Sequence, residues 1–151
     1  MNLSEKMTAV GPAILRIGMA VVFLWFGFQQ FLNTMAWIGF IPEEVLKIVP
    51  LEASTLVHVN GAFEIVFGFA LLLGFFTRMS ALFLSLHMFH ITTVVGYDSI
   101  GVRDFGLMIA VIAVFLNGAD HTSIDQFLFF RKQKEVNNEK LPLRVVINSL
   151  E

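Results

Sequence analysis

The sequence predicts an all-α fold, a bundle of four transmembrane helices, on three observations. Four long apolar stretches fit within 151 residues, the charged residues gather between and beyond them, and the prolines stand outside their interiors. Hydrophobic residues make up 56% of the chain against 15% charged, and the mean hydropathy is +0.76, which sets it apart from soluble domains. A helix crossing the roughly 30 Å hydrocarbon core needs about 20 residues, and each stretch with its flanks supplies them. Lipid offers no hydrogen bonds to the backbone, and the stretches lack the short alternation of barrel strands, so each is expected to be helical.

The first span is placed at residues 12–32, with Pro12 in its first turn, where a missing N–H does no harm. It is too long, and too interrupted by Arg16, for a removable signal, so it is expected to stay as an anchor. The connection that follows mixes apolar and charged residues around Trp37, Pro42, Glu43 and Glu44. It reads as an interfacial segment with a short helix starting at Pro42, either resting on the membrane or serving as a lid over an outward opening. The second span covers residues 55–76 and carries Glu64 in its middle; a tight turn at Thr77–Arg78 then makes the third span, 79–97, its antiparallel neighbour. The fourth span, 101–119, opens with Arg103-Asp104. Ser123-Ile-Asp-Gln126 has the form of a capping box and predicts an amphipathic helix over 123–134, lying on the cytoplasmic membrane surface with its basic end toward anionic lipid. A polar tail, 135–151, follows, in which Leu143–Ile147 could form a short strand. The whole chain is expected to be a single membrane domain.

Basic residues set the orientation. With four spans, Lys6, Arg16, Arg78, Arg131, Lys132, Lys134, Lys140 and Arg144 share the side of the termini, and only Lys47 and Arg103 lie opposite. Both termini are therefore expected in the cytoplasm, with the chain in a prokaryotic plasma membrane. There is no cysteine, which excludes thiol nucleophiles, disulfide exchange and thiolate-held clusters within this chain. No nucleotide-binding glycine loop is present and no nucleic-acid partner is expected. The expected partners are the lipid bilayer, a redox partner subunit and, as an option, a second copy of the chain.

Helical spacing suggests which side chains face inward. Arg16, Ala20, Phe23, Gly27 and Gln30 form one stripe on the first span, and Asn60, Gly61, Glu64 and Gly68 another on the second. The third offers Ser80, Phe83, His87, His90, Val94 and Tyr97, and the fourth Arg103, Gly106, Ala110, Ala113 and Asn117. Small and polar stripes of this kind suit helix contact in lipid. An ionisable residue in mid-membrane costs several kcal/mol unless it is paired or hydrated, so Glu64 marks a candidate site. Counting from the Thr77–Arg78 turn puts His90 at about the depth of Glu64 and His87 one turn nearer the cytoplasm. Glu64, His90 and His87 are the candidate proton-handling, catalytic groups, with a packing hydrogen bond as the alternative. Arg103, Asp104, Gln30 and Asn60 are candidate ligand contacts toward the outer end. Two histidines at i and i+3 are poorly placed for haem, and no metal site is expected. His58 is read as an outer-interface residue.

Leu-Arg16-Ile-Gly, Gly27-Phe-Gln-Gln30, the stretch from Glu64 through Gly68 and Gly74 to Thr77-Arg78, Arg103-Asp104 and Asn117-Gly-Ala-Asp-His-Thr-Ser-Ile-Asp125 together resemble the DoxX-like family. The likeness runs from about Leu15 to Phe130. It implies a four-helix integral membrane fold, with Glu64, Arg78, Arg103 and Asp104 at motif positions; His87 and His90 stand outside the pattern. The family includes a subunit of a thiosulfate:quinone oxidoreductase, members linked to redox stress, and distant relatives that act as cargo receptors or assembly chaperones. The resemblance therefore implies a subunit of, or partner in, a quinone-linked membrane oxidoreductase system, with quinone as the cofactor. The other readings are a non-catalytic assembly or escort protein and a small proton-coupled carrier.

Overall fold

A computed structural model describes residues 2–96 and 98–148. Seven helices follow one another, and no strand occurs among the described residues. They are α1 (Leu3–Leu32), α2 (Thr34–Ile38), α3 (Glu43–Ile48), α4 (Ala53–Leu73), α5 (Thr77–Val95), α6 (Ser99–Asn117) and α7 (Ile124–Asn148). Four are long and apolar enough to cross a membrane: α1 over Met7–Leu32, and α4, α5 and α6 throughout. The expected all-α bundle is present.

The bundle is built from two helix pairs, α1 with α4 and α5 with α6, which meet along narrower seams. Glycines make the first pair close. A Cβ on Gly27 would lie 2.8 Å from the Gly61 carbonyl oxygen, and one on Gly61 would lie 2.9 Å from that of Gly27. Side chains of any size would separate the two backbones, and in lipid such close approach is a main source of helix association. The common core joins Met19, Ala20 and Phe23 of α1, Leu71 of α4, Ala81, Leu84 and Met88 of α5, and Met108, Val111 and Val114 of α6.

The predicted stripes on α1 and α4 match the buried faces. Those on α5 and α6 match only in part, through Ser80, His87 and Ala110. On α5 the buried face is Thr77, Ser80, Ala81, Leu84, Ser85 and Met88, while Phe83, His90 and Val94 are exposed. On α6 it is Gly101, Asp104, Met108, Val111 and Val114, and Arg103, Gly106 and Asn117 are exposed. Gly106 does not mark the contact face of α6; nothing lies within 4 Å of where a Cβ on it would be. Methionine and branched side chains make that contact instead. Tyr97, the end of the expected α5 stripe, lies outside the described residues.

Element ends also shift. Helix α1 begins at Leu3, so Pro12 stands inside it and not in its first turn. The turn between α4 and α5 is Gly74–Phe76, and Thr77 already belongs to α5. Gly74 takes the left-handed conformation, φ 65°, that lets Phe75 N–H bond back to the Ala70 carbonyl at 2.9 Å. A Cβ there would also collide with Ser123. Residues 34–48 form two short helices, with α3 following Pro42 as expected and α2 unanticipated. Helix α7 continues to Asn148, so the helix does not stop near residue 134 and residues 143–147 are helical instead of a strand. A strand there would have no neighbour to pair with. Residues 149–151 of the tail lie outside the described residues. Phe127, Leu128, Phe129 and Phe130 are all exposed. At about 100° per residue four successive positions circle the helix, so this turn of α7 is apolar on every side, unlike a two-faced surface helix.

Candidate functional site

Glu64 lies on the buried face of α4 and is 3% exposed. Its Oε2 accepts a 2.7 Å hydrogen bond from Gln30 Nε2 on α1. Its Oε1 lies 3.2 Å from His87 Nε2 on α5 and accepts a longer bond, 3.4 Å, from Asn60 Nδ2 one turn back on α4. Asn60 also donates to Gln30 Oε1 at 2.7 Å. Three helices thus converge on one carboxyl group, and His87 is held from the side by the ring of Phe63, 4.8 Å away between centroids.

His87, not His90, is the histidine against Glu64. The reason is the turn. With α4 ending at Leu73 and α5 starting at Thr77, Glu64 is roughly 14 Å and His87 roughly 15 Å from it, whereas His90 is about 20 Å away. His90 instead sits on the wall of a cavity of about 680 Å³ that has Glu64, Gln30 and Asn60 at its inner end.

The remaining cavity wall is mainly apolar, with Trp25 and Phe26 of α1, Ile91 and Val94 of α5, and Trp37 and Phe40 from the α2–α3 connection. That connection contributes Trp37, Phe40, Pro42 and Val45 to the lining. It is fastened by Trp37 edge-on to Phe26 at 5.8 Å and by Thr34 Oγ1, 3.0 Å from His58 Nε2. His58 in turn stacks on Phe31 at 4.9 Å. His58, read from sequence as an outer-interface residue, thus ties α4 to the connection. Nothing in the sequence signals the Thr34 contact, because α2 itself is short and carries no periodic pattern.

Arg103 and Asp104 line the same cavity near the start of α6. Successive helical residues point in different directions, so Arg103 bends back: its Nε donates to Asp104 Oδ1 at 2.8 Å and its Nη2 lies 2.7 Å from the same oxygen. Asp104 is buried, while the Arg103 side chain is 52% exposed. The guanidinium also stands 5.4 Å from the centre of the Phe26 ring, a cation–π arrangement. Among the described residues no group of three His, Cys, Asp or Glu side chains could hold a metal ion.

A second polar cluster, not singled out from the sequence as a unit, closes the opposite end of the bundle. Arg16 is 1% exposed. Its Nη1 donates to the carbonyls of Leu71 and Leu72 at 2.7 and 2.6 Å, satisfying the end of α4. Its Nε donates to Asp120 Oδ2 at 2.6 Å and its Nη2 to Thr122 Oγ1 at 2.7 Å. Burial of Asp120 disfavours its charged form, but the hydrogen bonds from Arg16 and Thr122 and the guanidinium charge outweigh that and hold the carboxyl at about 2, below its ordinary 3.8. Asp125 completes the cluster by accepting from the Phe76 and Thr77 N–H groups at 2.8 and 2.7 Å. Phe76, the N-cap of α5, has no acceptor of its own, so a carboxylate from α7 caps α5 in its place. Ser123 Oγ accepts from Gln126 N–H at 3.3 Å, which is the first half of the expected capping box. Arg78 is exposed and lies beside Gly118.

Comparison with known families covers part of the likeness noted in the sequence. The DoxX family model matches residues 11–97, more than half of the chain. No curated protein and no solved structure gives a significant match. Arg16, Gly27, Glu64, Gly68 and Gly74 all fall within the matched region, where the structure gives each a contact between helices or, for Gly74, a turn. With four membrane-length helices and this match, the chain is an integral membrane protein that belongs to the DoxX family.

Proposed function

We propose that this protein is a subunit of, or partner in, a quinone-linked membrane oxidoreductase system, and that its cavity takes the quinone. The observation that carries the reading is one buried carboxyl group, Glu64, bonded to Gln30 and His87 at the inner end of a largely apolar cavity. The residues fit such a ligand. A flat, lipid-soluble ring matches walls of Trp25, Phe26, Trp37 and Phe40, and its carbonyls match the polar side chains among the lining, Gln30, Asn60 and Arg103 included. Gln30, Asn60 and Arg103 would hold and orient the ring.

A bound quinone supplies two-electron chemistry that takes up two protons on reduction. The chain's own part is protonic. Glu64 Oε1 and His87 Nε2, 3.2 Å apart, form a pair across which one proton can be held or passed, and His90 stands on the wall beside them. Electrons would come from a partner subunit. The distribution of basic residues supports cytoplasmic termini, an orientation in which the α2–α3 connection would lie on the outer face of the membrane.

A second reading, a non-catalytic assembly or escort protein, is favoured by the completeness of the bonding around Glu64, which is what a structural pin would require. The test is a reduced-minus-oxidised difference spectrum of protein purified with native lipid, compared with Glu64→Gln at equal occupancy. A quinone signal altered by the substitution is expected. A flat spectrum from folded protein would transfer the assignment to the escort role.

A further inference from the structure

The molecule holds two polar layers, and the buried serines at intermediate depth on α5, Ser80 and Ser85, donate to the backbone carbonyls of Phe75 and Leu82 and not to either layer. Arg16 and Asp120 lie at the end that carries both termini; Gln30, Asn60 and Glu64 lie toward the α2–α3 connection. Along α1 the two layers are about 21 Å apart. Between them are Phe23, Leu71, Leu84 and Val111, each at most 1% exposed and part of one continuous apolar cluster. The cavity respects that division. Its lining begins at Trp25 on α1, ends at Glu64 on α4 and begins at Met88 on α5. On α1, α5 and α6 no lining residue comes from the half nearer the termini, and on α4 Glu64, one residue past the middle, is the deepest.

We infer that the Glu64 layer is a one-sided site, which exchanges protons and ligand only with the side bearing the α2–α3 connection. Proton movement through this bundle from face to face is blocked by the apolar plug, since the hydroxyls at its depth, Ser80 and Ser85, are each engaged by a backbone carbonyl and bond to neither polar layer. The groups that face Glu64 or its cavity are all on the open side of the plug: His87 and His90 from α5, the Arg103–Asp104 pair from α6, and the neutral amides of Gln30 and Asn60 from α1 and α4. Arg16 and Asp120 bond to one another and to Thr122, and so cannot serve as the next station of a relay. The inference takes Glu64 as the working acid from the reading above, but says something separate about it: the sidedness of the reaction, and the exclusion of a proton-conducting role.

The chain has no cysteine, so single cysteines can report access without background. In sealed vesicles of the full-length protein, Glu44→Cys and Lys134→Cys identify the two faces. Asn60→Cys at the inner end and Ile91→Cys on the wall are then exposed to a small, membrane-impermeant cationic thiosulfonate added on one face at a time. Labelling at least ten-fold faster from the Glu44 face is expected for both variants, with Ile91→Cys carrying the test if Asn60→Cys does not fold. Equal rates, faster labelling from the Lys134 face, or no labelling of folded protein from either face would overturn the inference. A second readout is proton flux under a potassium diffusion potential. Wild type and Glu64→Gln are expected to be the same, and a flux lost in Glu64→Gln would refute one-sided access. Neither readout involves quinone, so loss of the quinone assignment and loss of this inference remain separable.

Discussion

Glu64 is held by donors on two helices with a histidine on a third, so the effect of replacing it depends on what the replacement can still accept. Glu64→Gln keeps an acceptor oxygen for Gln30 and is expected to fold with little change in thermal stability in detergent. Glu64→Leu strands the Gln30 amide and should cost about 1–3 kcal/mol, seen as a lower melting temperature. Asp120 gives a pH prediction with a definite sign. Its carboxyl is held at about 2 against an ordinary 3.8, so its contribution is complete above about pH 3.8 and is lost as the pH falls through about 2. By linkage this amounts to about 2 kcal/mol. An acid titration of the melting temperature should show that decline in wild type and not in Asp120→Asn. Glu64 was legible because a charge stands out against an apolar span. Its true partner was not, because the difference between His87 and His90 rests on where the chain turns, and the Gly74–Phe76 turn lies three residues earlier than the positions of the charged residues suggest.

Helices α4 and α5 are joined by a turn that depends on a third helix. Asp125 caps α5 from 49 residues further along the chain, and its own N–H bonds to the Gly74 carbonyl at 3.0 Å. Asp125→Ala should therefore cost about 1 kcal/mol and speed hydrogen exchange at the Phe76 and Thr77 amides, while leaving the Glu64 end unchanged. The α1–α4 contact gives the larger effect at this scale. Gly61→Leu would place a branched side chain against the Gly27 backbone and should cost about 1–3 kcal/mol by overpacking, read as loss of thermal stability in detergent. The faces of α1 and α4 could be read from spacing because glycine and polar residues coincide on them. Those of α5 and α6 could be read only in part. In lipid, a small residue such as Gly106 can face the acyl chains as easily as a neighbour, and Met108, Val111 and Val114 look the same in sequence whether they meet a helix or a lipid. Asp125 was visible as part of a motif, but its contact with a distant turn leaves no local pattern.

At the scale of the molecule, number and length of spans follow from hydropathy alone, and the connection between α1 and α4 shows its part in the cavity lining only when folded. Cysteines at Glu44 and Lys134 are expected to label from opposite faces; labelling from one face would contradict four crossings. The plug of Phe23, Leu71, Leu84 and Val111 also has an electrical meaning. A membrane potential falls across whatever part of the protein is neither polar nor hydrated, and moving one charge through 100 mV is worth about 2.3 kcal/mol. Where the cavity admits the medium down to Glu64, most of that drop lies beyond the carboxyl group, across the plug. Protonation at Glu64 is then nearly blind to voltage, so an energised membrane would neither drive nor hold back the chemistry of this site.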